Sequence, residues 1–324
     1  MEKVLFVDGN SLFHRAWHAY EKSGLRDGKG GLWGVYGFVT LLLGILEKLK
    51  PTHLLIGFDD PSGKSFRKEL DPGYKAQRSD KGDEFRGQAE RLRSFLGDLG
   101  VSILIYEGME ADDIAGSVAK RCEELGYKLA IATSDRDALS LVSDNVFIYQ
   151  LRNGLDKAVM YDKARVLEEY GVDPESYVAF AAMRGDTSDN LPGVYGVGPK
   201  GAASILSKYN IYDLLKLAEN GEITEPKWVL ESKNREIILH NIKMMSAVKT
   251  LPITVEAGKL PIEYNASKES RVKGENLPSL EGRIKSAFFG LVEDNVKNVK
   301  SIDKIINDEI VFVNYVSIDK SLFD

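Results

Sequence analysis

Cysteine is all but missing from this chain: Cys122 is the only one in 324 residues, which excludes an internal disulfide and a cysteine-built zinc site. Its surroundings are apolar at helical spacing, so it reads as a packed thiol. Histidine is scarce too, with four in the chain and no HExxH pattern. His14 and His18, an i,i+4 pair of the kind that can share a metal, therefore read as a helix surface near the substrate. Long apolar runs are also lacking. The start offers only Val4–Val7 before Asp8, too short for a signal peptide, and Phe38–Leu46 stops at Glu47, well short of a membrane span; a cytoplasmic protein is expected. A basic excess is absent as well. The net charge of −6 speaks, as an average, against a nucleic-acid partner.

With 43% hydrophobic residues the chain can bury a core, and its length suits one large domain with an appendage. Four short apolar runs, Val4–Val7, Leu54–Phe58, Ile103–Tyr106 and Leu129–Thr133, read as buried strands. They alternate with helical spacing over Phe38–Leu49 and Ile114–Leu125, which predicts an α/β fold around a mostly parallel sheet flanked by helices. Each run is followed by acids: Asp8; Asp59 and Asp60; Glu110, Asp112 and Asp113; Asp135 and Asp137. In open α/β sheets that carboxyl edge is where ligands bind. Acids in the first turn of a helix, as in Glu110-Ala-Asp-Asp113, also complement the helix dipole. That explanation fails for Asp8, which follows a buried strand, and four strand ends repeating one chemistry point to a site.

Carboxylates crowded at one edge raise each other's pKa values unless cations sit among them. Oxygen-only donors select Mg²⁺ or Mn²⁺ over zinc, and two such ions can hold an attacking hydroxide and a leaving oxygen in line across a phosphodiester. With Asp60 left aside, Asp186 and Asp189, just after a helix predicted over Tyr177–Met183, bring the acidic set to nine. Setting those nine aside turns the net charge of −6 into +3, so the acidity of the chain is largely this proposed site. Residues 61–93 run the other way, with nine Lys or Arg against six Asp or Glu. Gly196-Val-Gly-Pro-Lys-Gly201 fits the G-x-G-x-x-G dinucleotide fingerprint, but no strand precedes it, as that reading requires. A helix, a tight glycine hairpin and a second helix over Ala202–Tyr209 account for it better, with exposed backbone N–H groups and Lys200 gripping a phosphate.

Taken in order, Val7-Asp8-Gly9, Phe58-Asp59, Phe66-Arg67, Tyr74-Lys75-Ala-Gln-Arg78, Glu110-Ala-Asp-Asp113, Thr133-Ser-Asp-Arg-Asp137, Gly185-Asp-Thr-Ser-Asp-Asn-Leu-Pro-Gly193 and Gly196-Val-Gly198 resemble the flap-endonuclease and 5′-3′ exonuclease family. The likeness is to the 5′-nuclease domain of bacterial DNA polymerase I and its free-standing phage relatives, over about residues 3 to 256. It implies that Asp8, Asp59, Glu110, Asp112, Asp113, Asp135, Asp137, Asp186 and Asp189 hold two or more divalent ions, and that the full set favours activity. It further implies a helical arch over about residues 61–95, in which Lys75 and Arg78 stabilise charge on the scissile phosphate and Tyr74 stacks on an unpaired base. Arg15, Arg26, Lys29 and Arg67 match DNA-contacting positions. Gly196, Gly198, Lys200 and Gly201 match a helix-three-turn-helix element that binds duplex, with a K⁺ ion held by its backbone carbonyls.

The expected organisation is a nuclease core over residues 1–175, a duplex-binding helical region over 176–256 and an extension of unassigned role over 257–324. The extension is expected to hold a helix over Leu280–Val292 and a strand over Ile310–Val316; its final Ser321-Leu-Phe-Asp324 faintly resembles a sliding-clamp peptide. No polymerase follows, so a free-standing, monomeric nuclease is expected in a bacterial or phage-infected cell. It would cut 5′ flaps, 5′ ends or RNA primers during replication or repair, beside a polymerase, a single-strand-binding protein or a clamp. Two rival readings stand: a PIN-like ribonuclease, which shares the acids but not the hairpin or arch, and a DNA-junction-binding accessory that does not cut.

Overall fold

A computed structural model describes residues 1–27, 30–152 and 154–260. In chain order the first elements are β1 (Lys3–Asp8), α1 (Gly9–Tyr20), a small ribbon of β2 (Arg26–Asp27) and β3 (Gly30–Gly31), α2 (Trp33–Leu49), β4 (His53–Gly57), α3 (Phe66–Leu70), α4 (Gly82–Asp98), β5 (Ser102–Leu104), α5 (Ala111–Leu125), β6 (Lys128–Thr133), β7 (Val146–Arg152) and β8 (Gly154–Tyr161). The rest is helical: α6 (Lys163–Tyr170), α7 (Pro174–Arg184), α8 (Pro199–Leu206), α9 (Ile211–Glu219), α10 (Lys227–Leu230) and α11 (Ser232–Met245). The expectations for Lys29, Leu280–Val292, Ile310–Val316 and Ser321–Asp324 lie outside the described residues. Among the described residues no helix is long and apolar enough to cross a membrane.

One six-stranded sheet, ordered β5-β4-β1-β6-β7-β8, carries the fold. Its strands pair in parallel except for β8, which runs antiparallel to β7. Side chains alternate across a strand, and β1 makes the consequence plain. Val4 and Phe6 enter a core shared with α5, α7 and α11, whereas Leu5 and Val7 enter a second core shared with α1, α2 and α4. With both faces covered, β1 and β4 read as unbroken apolar runs, and the carboxyl ends of β1, β4 and β6 come to one edge.

The structure adds to what periodicity predicted. Strands β7 and β8 were not expected: β7 is apolar but no acid follows it, and β8 is a half-exposed edge strand whose Asp156 and Lys157 interrupt the apolar pattern. Helix α2 begins at Trp33, ahead of the helical spacing read over Phe38–Leu49. Its glycines let α1 close in, since a Cβ on Gly37 would lie 3.0 Å from that of Ala16 and 2.4 Å from the Tyr20 ring. The expected arch divides in two. Helix α4 lies on the core through Leu92 and Leu96, and only the turns between α3 and α4 overhang the sheet edge.

Phe6 is fully buried, with its ring against Gly57 of the neighbouring strand. Phe6→Ala should cost about 3–5 kcal/mol, measured as a lower urea midpoint at unchanged slope; a loss below about 1 kcal/mol would show that the sheet is not packed as described.

Candidate active site

Each strand end delivers its acid through local geometry that the sequence dictates. Asp8 closes β1 and caps α1: Ser11 N–H donates to its Oδ1 at 2.9 Å, and the Thr133 hydroxyl donates to Oδ2 at 2.8 Å. Asp59, just beyond β4, accepts from Ala111 N–H at 2.8 Å and from the Asn10 amide at 2.9 Å. Thr133 also accepts from Asp135 N–H at 3.0 Å, and Asp135 accepts from Asp137 N–H at 2.9 Å, so one hydroxyl ties the ends of β1 and β6 together. Asp60 turns away and accepts from Gly108 N–H at 2.8 Å. Thr133 and Asn10 were not among the predicted site residues. Their signal was a polar side chain beside a strand-end aspartate.

Electrostatics mark the cluster as one unit. Burial, with Asp59 and Asp135 as further like charges, pushes Asp8 up to about 7. Burial and then Asp135 and Asp8 push Asp112 well above the carboxylate range. Burial, then Asp135, Asp186 and Asp189, raises Asp137 to about 8; Asp135 and Asp59 are raised as well, by burial first. Asp135 is exposed by surface, but it lines a cleft together with Asp112, Asp137 and Asp189. Burial works in the same sense on Glu110, yet Lys75 and Arg67 outweigh it and hold this carboxyl low.

Lys75 and Arg78 cover one side of the cleft. Lys75 Nζ lies 2.8 Å from Glu110 Oε2 and 3.8 Å from Asp189 Oδ2, and Arg78 Nη2 lies 2.5 Å from Asp189 Oδ1. Lys75 N–H donates to the Asp189 carbonyl at 3.1 Å, so the overhanging turn is docked on the Asp186–Asp189 turn. His14 and His18 face each other with Nε2 atoms 3.3 Å apart, and burial followed by Lys81 pushes His14 down to about 4.

Three predicted contacts are corrected, and one ligand. Tyr74 is 3% exposed and donates its hydroxyl to Glu110 at 3.1 Å, so it props a carboxylate and cannot stack on a base. Arg67 is 2% exposed: it pairs with both oxygens of Asp113 at 2.7 and 2.8 Å and donates to the Met244 and Ser246 carbonyls. Asp113, fully buried, is thereby committed to Arg67 and to the N–H groups of Glu110 and Val248, which removes it from the candidate metal ligands. Arg15 spends its guanidinium on Ser134 and on the Leu151 and Arg152 carbonyls at the end of β7, a brace rather than a free cation. Arg26 remains exposed, 3.6 Å from Glu84 on α4. Lys200 and Gly196, Gly198 and Gly201 are exposed around the start of α8.

Among the described residues no three carboxylate or histidine side chains converge closely enough to hold an ion as they stand. The all-oxygen donor set, with pKa values raised by burial and then by like charge, fits a hard divalent cation. The sign of the pH effect follows. Asp8 and Asp137 titrate in the fold near 7 and 8 but near 3.8 unfolded, so their contribution is fully present below pH about 4 and is lost as pH climbs to about 8. With EDTA, Tm should fall from pH 5 to pH 8, and Mg²⁺ should recover more at pH 8, where it meets less proton competition; a flat or rising EDTA series would contradict the cluster. Arg67→Ala, which strands the buried Asp113 charge, should cost about 3–5 kcal/mol in chemical unfolding, against under about 1 kcal/mol for exposed Arg26→Ala.

Known proteins match this chain over most of its length. Residues 3–171 match the 5′-3′ exonuclease N-terminal resolvase-like domain and residues 172–271 the 5′-3′ exonuclease C-terminal SAM fold. DNA polymerase I of Mycobacterium tuberculosis is 38% identical over 254 residues, covering 77% of this chain and 28% of the polymerase. The Bacillus subtilis enzyme is 33% identical over 275 residues, covering 84% of this chain and 30% of the polymerase; the chain thus spans under a third of the length of these relatives. In fold it is similar to the phage T5 5′-exonuclease with bound zinc, at TM-score 0.62 and 20% identity over 90% of this chain and all of that one. The phage T5 flap endonuclease in a pseudo-enzyme–product complex with DNA and metal ions gives TM-score 0.60 and 19% identity over the same shares. The chain belongs to the 5′-3′ exonuclease family.

Proposed function

We propose that this chain is a structure-specific 5′ nuclease, cutting DNA phosphodiesters near a junction of single strand and duplex to leave a 5′-phosphate and a 3′-hydroxyl. The observation that carries the reading is the cluster of mutually interacting carboxylates Asp8, Asp59, Glu110, Asp112, Asp135, Asp137, Asp186 and Asp189 at one sheet edge, with Lys75 and Arg78 paired to Glu110 and Asp189. Those eight carboxylates would hold two or more Mg²⁺ or Mn²⁺ ions. Such ions, when bound, supply a hydroxide nucleophile at neutral pH and Lewis-acid stabilisation of the leaving oxygen.

The remaining duties fall to side chains of the chain itself. Thr133 and Asn10 keep the strand-end carboxylates oriented, Tyr74 and Ser65 do so for Glu110, and pre-oriented groups need not reorganise during reaction. Glu110 and Asp189 push Lys75 upward against the effect of burial, so it stays charged at neutral pH and can meet the scissile phosphate together with Arg78. The hairpin at Gly196–Gly201, opening the eight-residue α8, supports a duplex grip through backbone N–H groups and Lys200, with K⁺ on nearby backbone carbonyls. Arg26, on the ribbon beside α4, suits the strand that leaves the junction. Primer removal or repair alongside a polymerase is the cellular setting that this chemistry fits.

In Mg²⁺, a 5′-labelled flap duplex should be cut at its junction and EDTA should abolish cutting. Asp8→Asn keeps the α1 cap but removes a charge, and should lower the cleavage rate by at least about 100-fold with junction binding within about threefold. Cleavage of single-stranded RNA with DNA untouched would hand the case to a ribonuclease, and binding without cleavage in either metal would favour an accessory that does not cut.

A further inference from the structure

Tyr195 is 98% exposed, the most exposed large apolar side chain among the described residues. A lone exposed apolar residue ordinarily needs no explanation; the backbone beneath this one sets it apart. Val197 N–H donates to the Val194 carbonyl at 3.1 Å and Gly196 has φ +79°, so Tyr195 occupies the second position of a tight turn whose third position needs a left-handed residue. Both ends of that turn are anchored. Val194 and Val197 are buried in the core, Val194 N–H donates to the Met183 carbonyl at 2.9 Å, and the Asn241 amide reaches the Ala182 and Pro192 carbonyls at 2.9 and 2.8 Å. The ring is thus presented on a rigid tip, fully solvated, at the entrance to the glycine hairpin. Around it Gly196, Gly198 and Gly201 leave open space where side chains would stand.

We propose that Tyr195 is the apolar contact of the duplex clamp, its ring lying on the deoxyribose edge of the strand whose phosphates the Gly198–Lys200 backbone grips. This rests on the duplex-binding reading above and adds to it a residue that no phosphate-gripping motif predicts. Successive groups on a nucleic-acid strand alternate charged phosphate with apolar sugar, so a surface that holds one presents something to the other. Glycine-lined backbone admits the phosphate closely, and a two-torsion aromatic on a fixed turn meets the sugar with little entropy to lose. The occupant is duplex: an unpaired strand does not hold its sugars in a fixed row, and the tip lies on the helical region rather than over the carboxylate cleft.

Charge separates this contact from its neighbours. Binding of a 20-base-pair duplex would be followed by anisotropy across a salt series for the full chain and for Tyr195→Ala, Tyr195→Phe and Lys200→Ala. Tyr195→Ala is expected to weaken binding about tenfold with the salt slope unchanged, since no counterion-releasing charge is lost, and to leave Tm unmoved. Tyr195→Phe should stay within about twofold. Lys200→Ala should reduce the slope by about one. Should Tyr195→Ala bind within twofold of the parent while Lys200→Ala weakens, the tyrosine contact is wrong and the clamp reading survives. Equal losses in Tyr195→Phe and Tyr195→Ala would also overturn it, by making the hydroxyl the contact. A parent chain that fails to bind duplex, unaffected by Lys200→Ala, would remove the clamp reading and this inference together.

Discussion

Like charge held out of water is the constraint around which this molecule is arranged. A parallel sheet brings several strand ends to one edge, and here the ends carry aspartates that each neighbour makes harder to ionise. Such a group of acids is eased where neutral donors hold some of its members and opposite charge stands near. Ser11 N–H, Ala111 N–H, Asn10 and Thr133 supply the donors, and Lys75 and Arg78 supply the charge. The turn bearing these two cations is docked on the acids it faces, so the cleft and its cover are stabilised by the same attraction.

Arg67 binds the two halves of the chain to each other. Its guanidinium joins Asp113 at the start of α5 to the carbonyls at the end of α11, and Val248 N–H completes the ring from the other side. The helical region that carries the hairpin therefore meets the nuclease core within one turn of Glu110 and Asp112. A buried pair of this kind contributes little against an apolar substitute but is costly to break, and it fixes orientation between regions that only helix packing would otherwise set.

Much of this was legible in the sequence because the physics involved is local. Four strand runs with acids behind them gave the parallel sheet and the edge at which those acids gather. What escaped needed knowledge of depth. Arg67 and Tyr74 looked like members of a basic, aromatic-bearing surface, yet both point inward, and a charged residue one position from an aromatic looks the same in sequence whether it faces solvent or a buried carboxylate. Asp113 sat in a run of acids, and only its position on the inner face of α5 shows that it belongs to a salt bridge. Strands β7 and β8 were missed because the first carries no acid and the second is an edge with a broken apolar pattern.

The Asp113 strap has a consequence in time. A chain made from its N-terminus presents Asp8, Glu110 and Asp112 early, but Asp113 gains its last donor only when Val248 arrives, 135 positions later. Until then a fully buried carboxylate lacks part of the company that makes its burial tolerable. The carboxylate that anchors the start of α5 is thus completed by nearly the last piece of the described chain, so the two ends of the fold must come together before either is fully satisfied.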